Sequence, residues 1–280
     1  MRTIMITGAG SGMGQELARR ALARGDRVIA TVRNHRDASE LGEHHDKLIV
    51  VEMNVGSSSS VEAAFIQVDR ELAGKPLDLI MHCAAIAPSG ALEVEGVELL
   101  EQTLNVNAVG VARILRHALP RLRGHRGRIL LFSSLWGKVA GPMLSAYCAS
   151  KHAIEAITDS VRREIEGQDI DIVLIEPGVV RTNMVSGSVS GSRAGSEQLP
   201  ASFRSLYGSI YERYARLIER ESTGGLSVDQ AAALIERAAF TAAPRTRYSV
   251  GRDAVLVKAL ARLLPDKALD AVFRKMLNRC

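Results

Sequence analysis

Thr7-Gly8-Ala9-Gly10-Ser11-Gly12-Met13-Gly14 stands between a short apolar run, Thr3–Thr7, and an amphipathic stretch, Met13–Arg24. A glycine-rich turn joining a strand to a helix is where a nucleotide pyrophosphate binds. Glycines let the backbone approach the phosphates, and the first amides of the helix supply donors and a positive dipole. The spacing G-x-G-x-x-G is not met, because position 13 is Met; what is met is T-G-x-x-x-G-x-G, through Gly8, Gly12 and Gly14. A tight turn made only for packing would use the same residue type, so the motif has to be read with its surroundings. Gly8, Gly10, Ser11, Gly12, Met13 and Gly14 are the candidate phosphate-binding residues.

The surroundings repeat the strand–helix alternation. Short runs at Arg27–Val32, Leu48–Met53, Leu77–Met81, Arg128–Ser133 and Asp171–Ile175 are apolar on both faces, as buried parallel strands are. Between them lie helical patterns at Val61–Ala73, Gly96–Arg121 and Ser145–Glu166. Such alternation implies crossover connections and an α/β fold, a Rossmann-type doubly wound parallel sheet. After Pro177-Gly178 the character changes. Ser186–Ser196 is small and polar and is expected to be a mobile loop. Ala201–Arg220 follows, with Phe203, Tyr207, Tyr211 and Tyr214 on one helical face. A helix over Ser227–Phe240, a short strand at Tyr248-Ser249-Val250 and two basic amphipathic helices split by Pro265 close the chain. No linker separates a second unit, so residues 1–280 are expected to form a single domain. Within it, 185–225 would serve as a substrate lid and 226–280 as a C-terminal extension.

Composition narrows the function classes. Hydrophobic residues make up 46% and charged residues 24%, enough for a substantial core. The net charge is +5, but the basic residues are dispersed and form no nucleic-acid motif; no nucleic-acid partner is expected. Three cysteines, Cys83, Cys148 and Cys280, lack paired spacing, which points to a reducing compartment and a cytoplasmic location. No run reaches the ~18 apolar residues of a spanning helix. Of seven histidines, His44 and His45 are adjacent, and no His/Cys cluster has ligand spacing, so no metal is expected.

The second strand bears on the cofactor. A strand that holds an NAD ribose normally ends near an acid, whereas this one reads Ala30-Thr31-Val32-Arg33. Arg33 is suited to a 2′-phosphate, with Arg36 equally available, which favours NADP(H) and leaves NAD(H) open. After the third strand, Asn54 and Val55 are the candidates for the adenine end.

Tyr147-Cys148-Ala149-Ser150-Lys151 opens a predicted helix, so Tyr147 and Lys151 lie one turn apart on one face. A free phenol has a pKa of about 10 and is a poor base at neutral pH. A neighbouring ammonium favours the phenolate, and such a Tyr exchanges a proton with an alcohol or alkoxide as hydride moves. Ser134 ends the fifth strand at the carboxyl edge of the sheet, where open α/β folds place ligands. Ser133 competes, but alternation turns it to the other face. Asn107 sits inside a predicted helix, a position Asn rarely favours. It reads either as a bond to a neighbouring strand or as a stop in a proton relay to Lys151.

With these residues in hand, the chain resembles the short-chain dehydrogenase/reductase family, over about residues 3–185. The motifs that carry the resemblance are Thr7–Gly14, Asn107 with Gly110, Ser134, Tyr147 with Lys151, and Pro177-Gly178-Val179-Val180-Arg181-Thr182. The resemblance implies Tyr147 as catalytic acid/base, Lys151 as the group that lowers its pKa and holds the nicotinamide ribose, and Ser134 as the orienter of substrate. It further implies Asn107 on a relay water, Pro177, Gly178, Val180 and Thr182 at the carboxamide end of the cofactor, and a homodimer or homotetramer. The tail is similar to hydroxysteroid and retinol dehydrogenase-like members.

Two departures stand out. The family's N-N-A-G after the fourth strand is His82-Cys83-Ala84-Ala85 here, and Asn54 replaces the usual Asp. Cys83, Ala84 and Ala85 remain cofactor candidates, while His82 reads as a substituted structural position. The expected activity is oxidoreduction of an alcohol or carbonyl on a small, hydrophobic molecule. A catalytically silent nucleotide sensor or scaffold of the same fold is the competing class; an epimerase or dehydratase on a sugar nucleotide is a remoter one.

Overall fold

The computed structural model describes residues 1–41 and 46–279, so His44, His45 and Cys280 lie outside the described residues. Seven strands form one parallel sheet: β1 (Thr3–Thr7), β2 (Arg27–Val32), β3 (Leu48–Glu52), β4 (Leu79–His82), β5 (Arg128–Phe132), β6 (Asp171–Pro177) and β7 (Arg247–Val250). Their order is β3-β2-β1-β4-β5-β6-β7, so the winding reverses between β1 and β4. In such sheets a crevice opens at that reversal, outside the carboxyl ends of the strands. The glycine turn leaves β1 there, and His82-Cys83-Ala84-Ala85 leaves β4 beside it.

Alternation along the strands divides the core in two. Ile4, Ile6, Val28, Ala30 and Met81 face one side; Met5, Ile29, Ile80, Ile129 and Leu131 face the other. The first side is covered by α1 (Gly12–Ala23) and α8 (Val228–Phe240), which meet through Leu17, Ala18, Ala21, Ala231 and Ile235. The second is covered by α2 (Ser58–Leu72), α4 (Gly110–Leu122) and α5 (Ser145–Glu164). Two starts are capped as their sequences suggest. Ser57 accepts from the Ser60 amide, and Ser227 with Gln230 closes a reciprocal capping box on α8.

The expected helix over Gly96–Arg121 is built differently. α3 (Leu92–Leu104) starts earlier, takes Gly96 at φ 73°, and runs through a wider π-type turn at Asn105–Val109 before α4 begins. Such widened turns frequently mark functional sites.

The larger correction concerns Ser186–Ser196, expected as a mobile loop. These residues lie within α6 (Asn183–Gln198), packed along α7 (Ala201–Gly224). The reason is close approach. Ser192 is fully buried and its hydroxyl donates to the Tyr211 carbonyl at 3.0 Å. A Cβ on Gly195 would lie 2.8 Å from the Tyr211 ring. Small residues therefore let α6 settle on an aromatic ridge that larger ones would push away. The chain ends in α9 (Arg252–Leu263) and α10 (Asp266–Asn278), split at Pro265 as its position suggests.

Candidate active site

The crevice at the strand reversal is shaped by backbone. Gly8 has φ +65°, and a Cβ there would meet the Ala84 backbone at 2.8 Å; a Cβ on Gly14 would strike the Gly8 carbonyl. The turn is thus pressed against β4 and back on itself, a cradle that side chains would fill. Gly12, also at positive φ, faces Thr182, whose methyl group would lie 3.6 Å from a Cβ placed there. Ser11 and Met13 flank the start of α1, Ser11 in extended backbone as its N-cap. Three remote stretches, 7–14, 82–85 and 177–182, therefore meet at one groove. The donor set fits a dinucleotide: helix-start amides at α1, glycine at positions 8, 10, 12 and 14 of the turn, and a hydroxyl, Thr182, opposite.

The remaining candidates line up less uniformly. Arg33 is exposed just beyond β2. Asn54 accepts from the Gly56 amide with its side-chain oxygen, and Val55 is buried with its carbonyl held by Arg113. Gly178 donates to the Val250 carbonyl, and Val180 is buried beside Leu226. Asp37 was missed by sequence reasoning: its backbone and Cβ lie 2.8 Å from where a Cβ on Gly10 would stand, so an acid borders the same groove.

At the end of β5 the proton-handling groups meet. The Ser134 hydroxyl neighbours the Tyr147 phenol and donates to the Pro177 carbonyl at 3.4 Å. Lys151, 2% exposed, donates to the Phe132 carbonyl at 2.7 Å and stands 5.4 Å from the centre of the Tyr147 ring. Burial pushes the phenol up to about 12, with the neighbouring Ser134 hydroxyl opposing; burial pushes the ammonium down to about 8, with Cys83 and Glu155 opposing. The phenol is thus held as an acid, where the sequence led us to expect a lowered pKa. Desolvation prevails, and the nearby ammonium directs its proton at the Phe132 carbonyl rather than at the phenol.

Asn107 is buried, and its amide is fully engaged. It accepts from the Ile86 amide at 2.9 Å and donates to the Ile86 carbonyl at 2.8 Å and to Ser150 at 3.0 Å. Its side chain clamps the segment leaving β4 onto α5. His82 lies on the same face of the sheet. Thr7 bonds its Nδ1 at 2.7 Å while accepting from the Ala84 amide, so the ring ties β1 to β4 where the family uses Asn. Burial first, then Lys151, lowers its pKa to about 3 and keeps it neutral.

Above this centre lies a largely apolar wall, built on the aromatic face expected of Ala201–Arg220. Tyr211 and Tyr214 of α7 are buried with Ala91, Met143, Leu144 and Leu277, and Tyr147 and Trp136 pack against them. Tyr211 donates to Glu95 and accepts from the Ala91 amide, while Tyr207 bonds Glu93, so α7 is stapled to the start of α3. Beyond Thr182, a cleft of about 730 Å³ opens between α6 and α7, bordered by Arg181, Asn183, Val189, Arg193 and Glu219. Among the described residues no group of His, Cys, Asp or Glu is arranged to hold a metal ion.

Below the centre is a buried ionic knot. Glu176, fully buried on β6, pairs with Lys258 and approaches Arg247 at 3.6 Å and Lys138 at 3.8 Å. Glu155 shares Lys138 and Arg247. The one available signal was an acid interrupting the apolar run of β6.

Residues 2–192 match the model of a family described as short chain dehydrogenase. The chain is 28% identical to an NADPH-dependent 3-dehydrocapnine reductase of Ornithobacterium rhinotracheale, covering all of this chain and 98% of that protein. It is 32% identical to human 17-beta-hydroxysteroid dehydrogenase type 6, covering 97% of this chain and 87% of that one. A crystal structure of a short chain dehydrogenase from Burkholderia cenocepacia in complex with NADP shares the fold. Its TM-score is 0.74 at 22% identity, over 98% of this chain and 99% of that one.

Proposed function

The chain belongs to the short-chain dehydrogenase family, and from that premise we propose that it is an NADP(H)-dependent oxidoreductase interconverting a secondary alcohol and a ketone, or an aldehyde, on a hydrophobic substrate. The observation that carries this reading is the Tyr147 phenol set beside Ser134 at the end of β5, with the buried Lys151 ammonium 5.4 Å from its ring centre.

Ser134 and Tyr147 present two hydroxyls to one point, where a carbonyl oxygen accepts from both. A dinucleotide held in the groove would supply hydride to the carbonyl carbon. Tyr147, held protonated, then delivers its proton to the developing alkoxide, and Lys151 steadies the negative charge left on the phenol oxygen. In the reverse direction the phenolate takes the alcohol proton. Gly8 to Gly14, Ala84 and Thr182 would hold the dinucleotide, with Cys83, Ala85, Val55, Pro177, Gly178 and Val180 around them and Asn54 at the adenine end. Arg33, with no acid in the preceding strand, supports a 2′-phosphate, and the reductase relative is named as NADPH-dependent.

The aromatic wall of α7 supports an apolar substrate, with residues 185–225 as its lid and 226–280 as an extension of one domain. The exposed small and apolar residues Val109 at the end of the wider turn, Ala112 on α4, and Ala149 and Ala156 on α5 support a homodimer or homotetramer.

The test is NADPH consumption with a panel of ketones, with Tyr147→Phe as control. The wild type should turn over at least one apolar ketone, and the variant should lose ~100-fold or more of that rate while still binding NADPH. Equal rates in the two proteins would remove the acid/base assignment.

A further inference from the structure

The last two helices hold an apolar face in water. On α9 the exposed residues are Arg252, Val255, Leu256, Ala259, Arg262 and Leu263. They recur at i, i+3, i+4, i+7, i+10 and i+11, which at 3.6 residues per turn is one side of the helix. Val255 is 57% exposed, Leu256 61% and Leu263 80%. The opposite side is already occupied. Ala254, Val257 and Ala261 pack with Leu135, Val139 and Trp136, and Lys258 reaches Glu176. A helix that is apolar on its outer side as well as its inner side has more apolar surface than core burial explains.

Charge gathers at the same end of the chain. Residues 252–279 contain seven Lys or Arg against three Asp, a net +4 of the chain's total of +5. Arg252, Arg262, Lys267, Arg274, Lys275 and Arg279 are exposed. Of the acids, Asp253 is turned inward to accept from the Val179 amide at 2.6 Å. A second copy docking here by two-fold symmetry would set this cluster against itself, since a two-fold contact joins the same patch on both partners. An anionic bilayer accepts both features together: the aliphatic side chains enter the acyl boundary, and the cations meet the headgroups.

We propose that α9 and α10 seat this protein on the surface of an anionic lipid bilayer, with Val255, Leu256 and Leu263 inserted and the basic residues around them on lipid phosphates. The inner faces of the same helices wall the acid/base centre. Phe273 of α10 lies 6.0 Å from Trp136, and Leu277 packs in the cluster that contains Tyr147 and Tyr214. An apolar substrate dissolved in the bilayer is thereby brought beside Ser134. That last step rests on the hydride-transfer reading, whereas seating on the membrane does not.

Flotation of the full-length protein with vesicles tests it. Vesicles of phosphatidylcholine alone are compared with vesicles of phosphatidylcholine and phosphatidylglycerol. The wild type should float with the anionic vesicles and stay behind with the neutral ones, and salt of about 0.5 M should release it. Leu256→Glu with Leu263→Glu should weaken binding by about ten-fold or more, as should Arg252→Glu with Arg262→Glu. Both variants alter exposed side chains, so their thermal midpoints and NADPH binding should match the wild type. No flotation with anionic vesicles, or equal flotation of the Leu variant, overturns the proposal. So does a Leu variant that falls from dimer to monomer without any vesicle binding by the wild type, which would assign the face to a second copy. Because flotation needs no turnover, a failure here leaves the acid/base assignment standing, and loss of that assignment leaves this one.

Discussion

Lys151 is a cation held out of water, 2% exposed with one carbonyl as its hydrogen-bond partner, and its pKa of about 8 expresses that strain. The unfolded chain keeps its proton to about 10.5, so between these values the unfolded state binds more protons and stability rises with pH. Below about pH 8 both states are charged and the burial penalty is present in full. Lys151→Met should therefore be more stable than the wild type at pH 7, by on the order of 1–3 kcal/mol, and should lack the rise above pH 8. The same variant should lose about 100-fold or more of its turnover, since the phenolate has lost its neighbour. Urea unfolding across pH, read beside NADPH consumption, checks both; a less stable Met variant would mean the ammonium is there for packing. His82 shows the opposite side of the argument. Its pKa of about 3 lies below the ordinary 6.5, so stability falls as pH drops through that window, and His82→Asn should flatten the acid limb of the curve. Tyr147, Lys151 and Ser134 were legible because helical spacing and a strand end place them without knowledge of distant partners. Tyr211 with Glu95, and Asp37 beside Gly10, were not, since contacts across remote segments leave no local trace.

Among the elements, the sheet was readable nearly to the residue, because a strand buried on both faces writes an unbroken apolar run. β4, read as Leu77–Met81, runs Leu79–His82, and β6 outran its expected end: its run was read as stopping at Ile175, before Glu176, yet the strand continues to Pro177. The acid is admitted because α9 brings Lys258 to it and β7 brings Arg247. Removing it takes the acid from Lys258 and leaves Lys138 and Arg247 to Glu155 alone. Glu176→Ala should thus cost about 3 kcal/mol or more and loosen β7 and α9 together. Lowered urea midpoints, with faster amide exchange confined to those two elements, would show it. α6 failed to read as a helix for a different reason. Its serines and glycines are poor helix formers in isolation, and what holds them is the Tyr211 ridge supplied by α7. Tyr211→Ala should accordingly cost about 3 kcal/mol and release α6. Tyr207→Phe, which severs only the bond to Glu93, should leave stability within ~0.5 kcal/mol and raise KM if α7 closes over substrate. An unchanged KM would assign the staple to structure alone.

At the scale of the whole molecule, the groove is assembled from segments that meet only in the folded chain: the turn after β1, the end of β4 and the loop from β6 into α6. A ligand touching all three binds the native state and has no counterpart in the unfolded one. It must then stabilise by mass action, about 2.7 kcal/mol when present at 100 times its Kd. For a chain of this size that corresponds to a rise in Tm of roughly 5 °C or more. The two nucleotides should not act equally. Arg33 beyond β2 favours the 2′-phosphate, while Asp37 against Gly10 disfavours it, and the proposed outcome is that the guanidinium prevails because nothing in β2 opposes it. NADPH should therefore shift Tm more than NADH at matched concentration, Arg33→Asp should reverse that order, and Asp37→Asn should widen it. A greater shift with NADH in the wild type would make Asp37 the selecting residue and remove the preference for NADP(H). No shift with either nucleotide would remove the dinucleotide from the groove and, with it, the donor on which the proton chemistry of Tyr147 depends.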